Sequence, residues 1–119
     1  MPPQTANPLQ VLEGARLSSI EFVQDYVQLR FNGPTFTAIT PPRVRTANQW
    51  LEWGKPGYRD ALCERIGRLV NRAATIPEQE IRIEFDDGSM ISISLRSEHF
   101  RTAEAAVLDN PPNPTVVWQ

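Results

Sequence analysis

Three acidic residues stand close together in EIRIEFDDGSMISISL, residues 80–95, and are the first candidates for chemistry. The carboxylates of Glu84, Asp86 and Asp87 could hold a hard cation or move a proton. Alternation along a strand places Glu84 and Asp86 on one face. Aspartates at a hairpin tip also serve the turn through their own backbone, and no calcium-loop spacing follows here. The pattern therefore favours a structural role and predicts neither a metal ion nor another cofactor.

The chain contains one histidine and one cysteine, His99 and Cys63, so it cannot build a zinc site from two histidine ligands. Glu98 could orient the pair as base and nucleophile, but Cys63 lies beside apolar positions of a predicted helix and reads as a small core residue. No GxGxxG, Walker A, GxSxG or HExxH motif occurs. We therefore expect a protein that is not an enzyme. Glu84, Asp86 and His99 form an alternative site, for a small-molecule or metal binder or a hydrolase with a cleft between two repeats.

Trp50, Trp53 and Tyr58 form the most prominent aromatic group. Trp50 and Trp53 are three positions apart in RTANQWLEW, residues 45–53, and would be neighbours on a helix. Trp and Tyr are enriched at binding hot spots, although they also serve as lids on a core. The pattern favours core packing, and a binding surface for a protein partner or a ligand cleft is the alternative that supplies the hypothesised site.

The charge balance selects no charged partner. The 119 residues include twelve basic and fourteen acidic ones, and this balance predicts neither nucleic-acid nor membrane binding. The arginines between positions 59 and 72 are interrupted by acidic residues and are typical of a solvated face. No apolar run approaches a membrane span, and MPPQTANPLQ lacks the pattern of a signal peptide. Together with the single cysteine, this indicates a cytoplasmic protein.

Alternating apolar residues predict a hairpin within residues 80–95. Ile83 and Ile91 share a face if the loop has three residues, Asp86 to Gly88. That loop places Gly88 at the left-handed position of a type I turn with a G1 bulge. The register and the glycine therefore agree.

A second hairpin is predicted in SSIEFVQDYVQLRFNG, residues 18–33. Its apolar residues share one face if the loop is even, either Gln24-Asp25 alone or residues 23–26. TFTAIT, residues 35–40, follows as a third strand and is ended by two prolines. These strands form a three-stranded meander.

Residues 12–40 and 65–95 have similar patterns of glycines, strands and turns. Each region follows a short helical segment, and each is followed by Arg-Thr-Ala, where a threonine could cap a helix. We expect one α+β domain, residues 1–119, with a mostly antiparallel sheet. Its pseudo-repeats, approximately 8–57 and 58–110, each read as helix, three strands and helix, and residues 115–119 add a last strand. An internal duplication and a recurrence of common hairpin chemistry both explain the similarity. Residues 67–75 fit either a strand or a continuing helix.

The segments IGRLV and IRIEFDDGSMISISL, with the EAA that follows, span residues 66–107. They resemble small uncharacterised bacterial proteins of the immunity-protein or unknown-function kind. The resemblance implies a cytoplasmic α+β module that binds a protein, often a toxin, and it carries over no catalytic residue. A non-catalytic protein-binding module is therefore the main expectation. A structural homodimer built from exposed strand edges is a further alternative.

Overall fold

The computed structural model describes residues 7–47 and 49–119, and most of its elements are short strands. The strands are β1 Leu17–Val23, β2 Tyr26–Phe31, β3 Thr35–Ala38, β4 Arg43–Thr46, β5 Gln49–Leu51, β6 Val70–Ile76, β7 Glu80–Phe85, β8 Met90–Ser94, β9 Ala106–Asp109 and β10 Val116–Trp118. The helices are α1, Tyr58–Cys63, and two 3₁₀ helices, Pro8–Leu12 and Ser97–His99. None of the helices in these ranges is long and apolar enough to cross a membrane.

The strands form two five-stranded sheets in which all pairings are antiparallel. The first sheet has the order β1-β2-β3-β9-β10, and the second has the order β5-β4-β8-β7-β6. Each sheet therefore combines a three-stranded meander from one half of the chain with a strand pair from the other half. The mostly antiparallel architecture is confirmed, but the strands form two sheets instead of the single predicted sheet, and there is little helix.

The hairpin of β7 and β8 has the predicted three-residue loop. Ile83 pairs with Ile91, which places both side chains on the buried face. The backbone N–H of Phe85 donates to the carbonyl of Ser89 at 2.9 Å and closes the loop. Gly88 has a φ of 86°, in the left-handed region that favours glycine. Hydrophobic alternation thus predicted both the register and the turn.

The hairpin of β1 and β2 has the shorter of the two predicted loops. Val23 pairs with Tyr26, which leaves only Gln24-Asp25 between the strands. β3 pairs with β2 and completes the predicted meander. The even loop keeps the apolar residues of both strands on the core face.

Residues 67–75 do not continue the preceding helix. α1 ends at Cys63, and Gly67 leaves helical backbone with a φ of 90°. Its N–H donates to the carbonyl of Leu17 on β1 at 2.7 Å. β6 then forms a ladder with β7, so the strand alternative is correct. Pairing along the sheet outweighs the helical spacing of the apolar residues.

The helices predicted after the third strand of each meander are wrong. RTANQWLEW supplies the end of β4 and all of β5, and RTAEAAVLD supplies β9. Each segment pairs with the meander of the other half, β4 with β8 and β9 with β3. This pairing buries Val44 and Leu108, and such tertiary contacts override local helix propensity.

The first 3₁₀ helix covers the outer edge of β6. Asn7 caps it, because its side chain accepts a hydrogen bond from the N–H of Leu9 at 3.2 Å. Asn7 Nδ2 also donates to the carbonyl of Ala73 at 2.8 Å. Glu13 Oε2 accepts from the N–H of Ala73 at 3.0 Å. These bonds satisfy backbone groups that an open strand edge would present to another chain.

A hydrophobic cluster from both sheets fills the space between them. β10 is the predicted last strand, and it places Trp118 against Phe36 with ring centroids 5.9 Å apart. Trp118 Nε1 donates to Thr75 Oγ1 on β6 at 3.2 Å, so it links the two sheets. The largest fully buried side chains are Phe36, Phe85, Leu9, Leu12, Leu17, Leu29, Leu62, Ile81, Ile83, Ile91, Ile93 and Val27.

Candidate functional site

The three aromatic residues singled out in the sequence lie on three different parts of the chain. Trp50 is on β5, Trp53 is in the turn that follows, and Tyr58 begins α1. The predicted helix that would carry both tryptophans is therefore wrong. The tryptophans are nonetheless exposed, Trp50 by 39% and Trp53 by 41%. A turn after a strand presents Trp53 to solvent as effectively as a helix face would.

Tyr58 is buried and supports Trp53 from beneath. Its ring meets the ring of Trp53 edge-on, with centroids 5.9 Å apart. Its hydroxyl donates to the carbonyl of Pro42 at 2.5 Å. Burial raises the pKa of Tyr58, although the nearby charges of Arg101 and Arg59 act in the opposite direction. The residue holds the turn in place and offers no open surface of its own.

Arginine side chains lie over both exposed tryptophans. The guanidinium carbon of Arg43 is 4.5 Å from the ring centroid of Trp50. Those of Arg59 and Arg101 are 5.7 and 5.6 Å from the centroid of Trp53. These distances suit cation–π attraction, which is strongest for tryptophan. We call these five residues the tryptophan–arginine surface.

A cleft of about 510 Å³ adjoins this surface on the outer face of the second sheet. Its strand residues, such as Ser92 and Ser94, alternate with core residues and so point away from the core. The lining comes from both halves of the chain, residues 40–53 and 79–101. The full lining is Thr40, Pro41, Arg43, Glu52, Trp53, Gln79, Glu80, Ser92, Ser94, Arg96, His99 and Arg101.

Glu80 is held firmly at the floor of the cleft. Its carboxylate accepts hydrogen bonds from Ser92 Oγ at 2.6 Å and from Arg82 Nη2 at 2.9 Å. Burial alone would raise the pKa of Glu80, but these hydrogen bonds and the charges of Arg82 and Arg43 lower it below its usual value. Both carboxylate oxygens of Glu80 therefore already have hydrogen-bond donors within the protein.

Three arginines of the cleft carry charge that no ion pair neutralises. Arg43, Arg96 and Arg101 form no salt bridge with any residue in 7–47 or 49–119. Arg43 comes from β4, whereas Arg96 and Arg101 flank the second 3₁₀ helix. The sequence reasoning missed all three. The alternation in Arg43-Val44-Arg45 was a signal that could have marked Arg43 as an outward residue of a strand.

The alternative site predicted from Glu84, Asp86 and His99 is not assembled. His99 lines the cleft, and its Nδ1 shares a hydrogen bond of 2.6 Å with Ser94 Oγ. Glu84 and Asp86 are absent from the lining. Glu84 lies four residues along β7 from Glu80, about 13 Å at ~3.3 Å per residue. The strand direction therefore separates the acidic pair from the histidine.

Asp87 anchors the hairpin loop instead of facing a ligand. Its carboxylate accepts from the N–H of Ser89 at 2.9 Å and from Ser89 Oγ at 2.5 Å. Arg65 and Arg68 approach it at 3.3 and 3.4 Å. Burial would raise the pKa of Asp87, but the bonds from Ser89 and the two arginine charges lower it. In the described ranges, no three His, Cys, Asp or Glu side chains are placed to share a metal ion.

Two sequence interpretations near α1 need correction. Cys63 is exposed and does not belong to the core, and it does not line the cleft that contains His99. Arg65, placed on a solvated face by its sequence, is only 6% exposed because it reaches Asp87 in the hairpin loop.

The exposed tryptophans, their arginines and the adjoining cleft form one continuous surface, since Trp53, Arg43 and Arg101 belong to both the surface and the cleft. No protein-family model matches the chain, and searches of curated proteins and of solved structures find no significant match.

Proposed function

We propose that this protein is a non-catalytic binding module that recognises another protein through the tryptophan–arginine surface. The observation that carries the proposal is that Trp50 and Trp53 are both exposed and both lie beneath arginines. Tryptophan and arginine are the residue types most enriched at interface hot spots. The stacked arginines also hold flat, amphipathic side chains in place before a partner arrives, which reduces the entropy lost on binding.

Trp53 is the expected centre of the interface. It lines the 510 Å³ cleft and also a second groove of about 370 Å³ formed with residues 54–60. A side chain between two concave regions can be enclosed by a partner on both sides. Hot-spot residues in such enclosed positions contribute about 2 kcal/mol or more to binding.

A cross-linking capture experiment with matched variants tests the proposal. The full chain is used as bait in a bacterial lysate, with Trp53→Ala beside Val117→Ala. Val117 is the control because it is 41% exposed, as Trp53 is, but lies on the edge of the first sheet. We expect Trp53→Ala to lose a partner that Val117→Ala and the wild type retain. Equal recovery by all three proteins would contradict the proposal.

Binding of a small molecule in the cleft is the second candidate function. The cleft volume lies within the range of about 300–1,000 Å³ typical of ligand pockets. His99 belongs to this version of the site, whereas Glu84 and Asp86 do not. A thermal-shift screen of metabolites tests it, since a ligand above its Kd raises the unfolding temperature. The absence of any shift would exclude this candidate.

We further propose that the two halves arose by internal duplication and that the module works in a bacterial cytoplasm. The equivalent order of the two sheets supports duplication, because each half supplies a meander to one sheet and a strand pair to the other. The resemblance to immunity-like proteins supports the location and a toxin-like partner. Fluorescence microscopy of the tagged chain in a bacterial host tests the location, and membrane or extracellular signal would contradict it.

A further inference from the structure

We propose that the partner presents an acidic segment and that one of its carboxylates is held in the cleft by Arg43, Arg96 and Arg101. This inference rests on the proposed function and specifies the chemistry that the partner must carry. It extends the binding site from the exposed tryptophans into the concave region beside them.

The arginines of the cleft are free to pair with an incoming anion. Arg82, which lies next to the cleft, is already bound to Glu80 at 2.9 Å. Arg43, Arg96 and Arg101 have no such pair among the described residues. A guanidinium presents its donors in a planar fork that matches a carboxylate, and charge-assisted hydrogen bonds of this kind are the strong ones.

The cleft carries a net positive charge. Three arginines line it together with two glutamates, Glu52 and Glu80. Glu80 is already paired with Arg82, which lies beside the lining, so only Glu52 offsets the charge of the three arginines. The remaining positive charge attracts an anion, and the carboxylates of an acidic segment can supply it.

Polar groups at the edge of the cleft can complete the recognition. Thr40 lines the cleft and is 3% exposed, and its Oγ1 has no hydrogen-bond partner in the described part of the chain. A buried hydroxyl without a partner is destabilising, and ligand oxygens are suitable acceptors for it. His99 uses Nδ1 for Ser94, which leaves Nε2 for a further hydrogen bond.

The surroundings of the cleft favour a protein segment over a small acid. Trp53 lines the cleft, and the exposed surface continues through Arg43 to Trp50. A small acid in the cleft would leave these aromatic rings in water. A peptide chain can place one carboxylate among the arginines and cover the tryptophans with its neighbouring residues.

Calorimetric titration of the full chain with a capped tetraglutamate peptide tests the inference. Capped tetraglutamine, glutarate and inorganic phosphate are the comparison probes at equal ionic strength. We expect tetraglutamate to bind most tightly and tetraglutamine not to bind. Arg96→Ala and Arg101→Ala should each weaken tetraglutamate binding about tenfold, through loss of a charge-assisted contact. Arg72→Ala is the matched control, because Arg72 is exposed and does not line the cleft.

Several results would overturn the inference. Equal binding of tetraglutamine would show that the carboxylates are not recognised. Tighter binding of phosphate would show that the cleft prefers another anion. Equal binding of glutarate would show that the ligand is a small acid and not a protein segment. Unchanged affinity in both arginine variants would show that the peptide binds outside the cleft.

If Trp53→Ala abolishes protein capture but tetraglutamate does not bind, the proposed function stands and the acidic class of the partner is wrong. If tetraglutamate binds but capture does not depend on Trp53, the protein-binding proposal fails instead.

Discussion

The two sheets share one strand order but carry different outer faces. In each sheet, the third strand of a meander lies between the second strand of that meander and a strand from the other half. The outward residues at this place form a neutral row in the first sheet and a charged row in the second. The rows are Gln28, Thr37 and Val107 in the first sheet and Arg82, Ser92 and Arg43 in the second. The common scaffold therefore does not dictate the chemistry of its surface.

The charges on the two outer faces also differ in how they are satisfied. On the first sheet, Arg30 pairs with Glu21 at 2.7 Å and donates to Gln28 at 2.7 Å. On the second sheet, Arg82 is paired but Arg43 is not, within the described ranges. A closed set of charges stabilises a fold, whereas an open set can bind a partner. The difference is our reason for proposing that the second sheet carries the binding surface.

The largest expected effect tests whether both sheets contribute equally to one core. Leu29 and Ile83 occupy the middle of the second strand in each meander, and both are fully buried. Leu29→Ala and Ile83→Ala should each lower the free energy of unfolding by about 2–5 kcal/mol, through lost burial and a cavity. Urea denaturation measures both. A loss below about 1 kcal/mol in one variant alone would show that the sheets are unequal.

Substitutions in the two glycine turns should have smaller effects on the free energy of unfolding. Asp87→Asn should lower the free energy of unfolding by about 1–2 kcal/mol, because the carboxylate bonds Ser89 and two arginines. Asn32→Ala, in the turn of the first meander, should stay within about 0.5 kcal/mol, because the described residues offer Asn32 no side-chain hydrogen bond. Equal losses in chemical denaturation would contradict this contrast.

The pH dependence of stability also tests the contribution of Asp87 to its turn. The pKa of Asp87 is lower in the folded chain than its unfolded value of about 3.9. Its stabilisation is therefore fully present above the unfolded pKa and is lost as the pH falls through the folded pKa. Denaturation curves between pH 5 and pH 2 should show a smaller acid-induced loss for Asp87→Asn than for the wild type. Identical losses would exclude Asp87 as a contributor.

Substitution of the paired glutamate on each outer face should have a still smaller effect on the free energy of unfolding. The Glu80 side chain is 18% exposed and bonds Ser92 and Arg82, so Glu80→Gln should lower the free energy of unfolding by about 1 kcal/mol. The Glu21 side chain is 51% exposed, and Glu21→Gln should change the free energy of unfolding by less than about 0.5 kcal/mol. Thermal denaturation compares the two variants. A larger loss of stability for Glu21→Gln would contradict the expectation that the contacts of Glu80 stabilise the fold more than those of Glu21.

The smallest expected change in stability is that of Arg101→Ala. Arg101 is exposed and has no ion pair within the described residues, so the free energy of unfolding should change by no more than about 0.5 kcal/mol. The same variant should weaken tetraglutamate binding about tenfold. A stability loss above about 1 kcal/mol would mean that Arg101 is a structural residue and not a binding residue.

The meanders could be predicted from the sequence because their signals are local. Alternation along β7 and β8 and the glycine at position 88 fixed one register, and an even loop fixed the other. The segments at 43–51 and 106–109 could not be read in this way. Their partners, β8 and β3, lie in the opposite half of the chain. Contacts distant in sequence therefore determined the secondary structure of these segments and overrode their local propensity.

The proposed binding surface was only partly visible in the sequence. Trp50 and Trp53 stood out because tryptophan is rare and both are near one another. Arg43 comes from β4, far in sequence from Arg96 and Arg101, and only the pairing of β4 with β8 brings it into the cleft with the other two. No spacing rule within one segment reports such an arrangement. The acidic hairpin tip attracted attention but proved to be an anchor of the loop.

A ¹⁵N NMR titration of the full chain with capped tetraglutamate tests most directly whether binding belongs to the second sheet. We expect shifts of the Trp53 indole and of the backbone amides of residues 94–101 and Arg43. The Trp118 indole and the amides of Gln28, Thr37 and Val107 should stay unchanged. Shifts concentrated on that neutral row, with Trp53 unaffected, would contradict the assignment of function to the charged face.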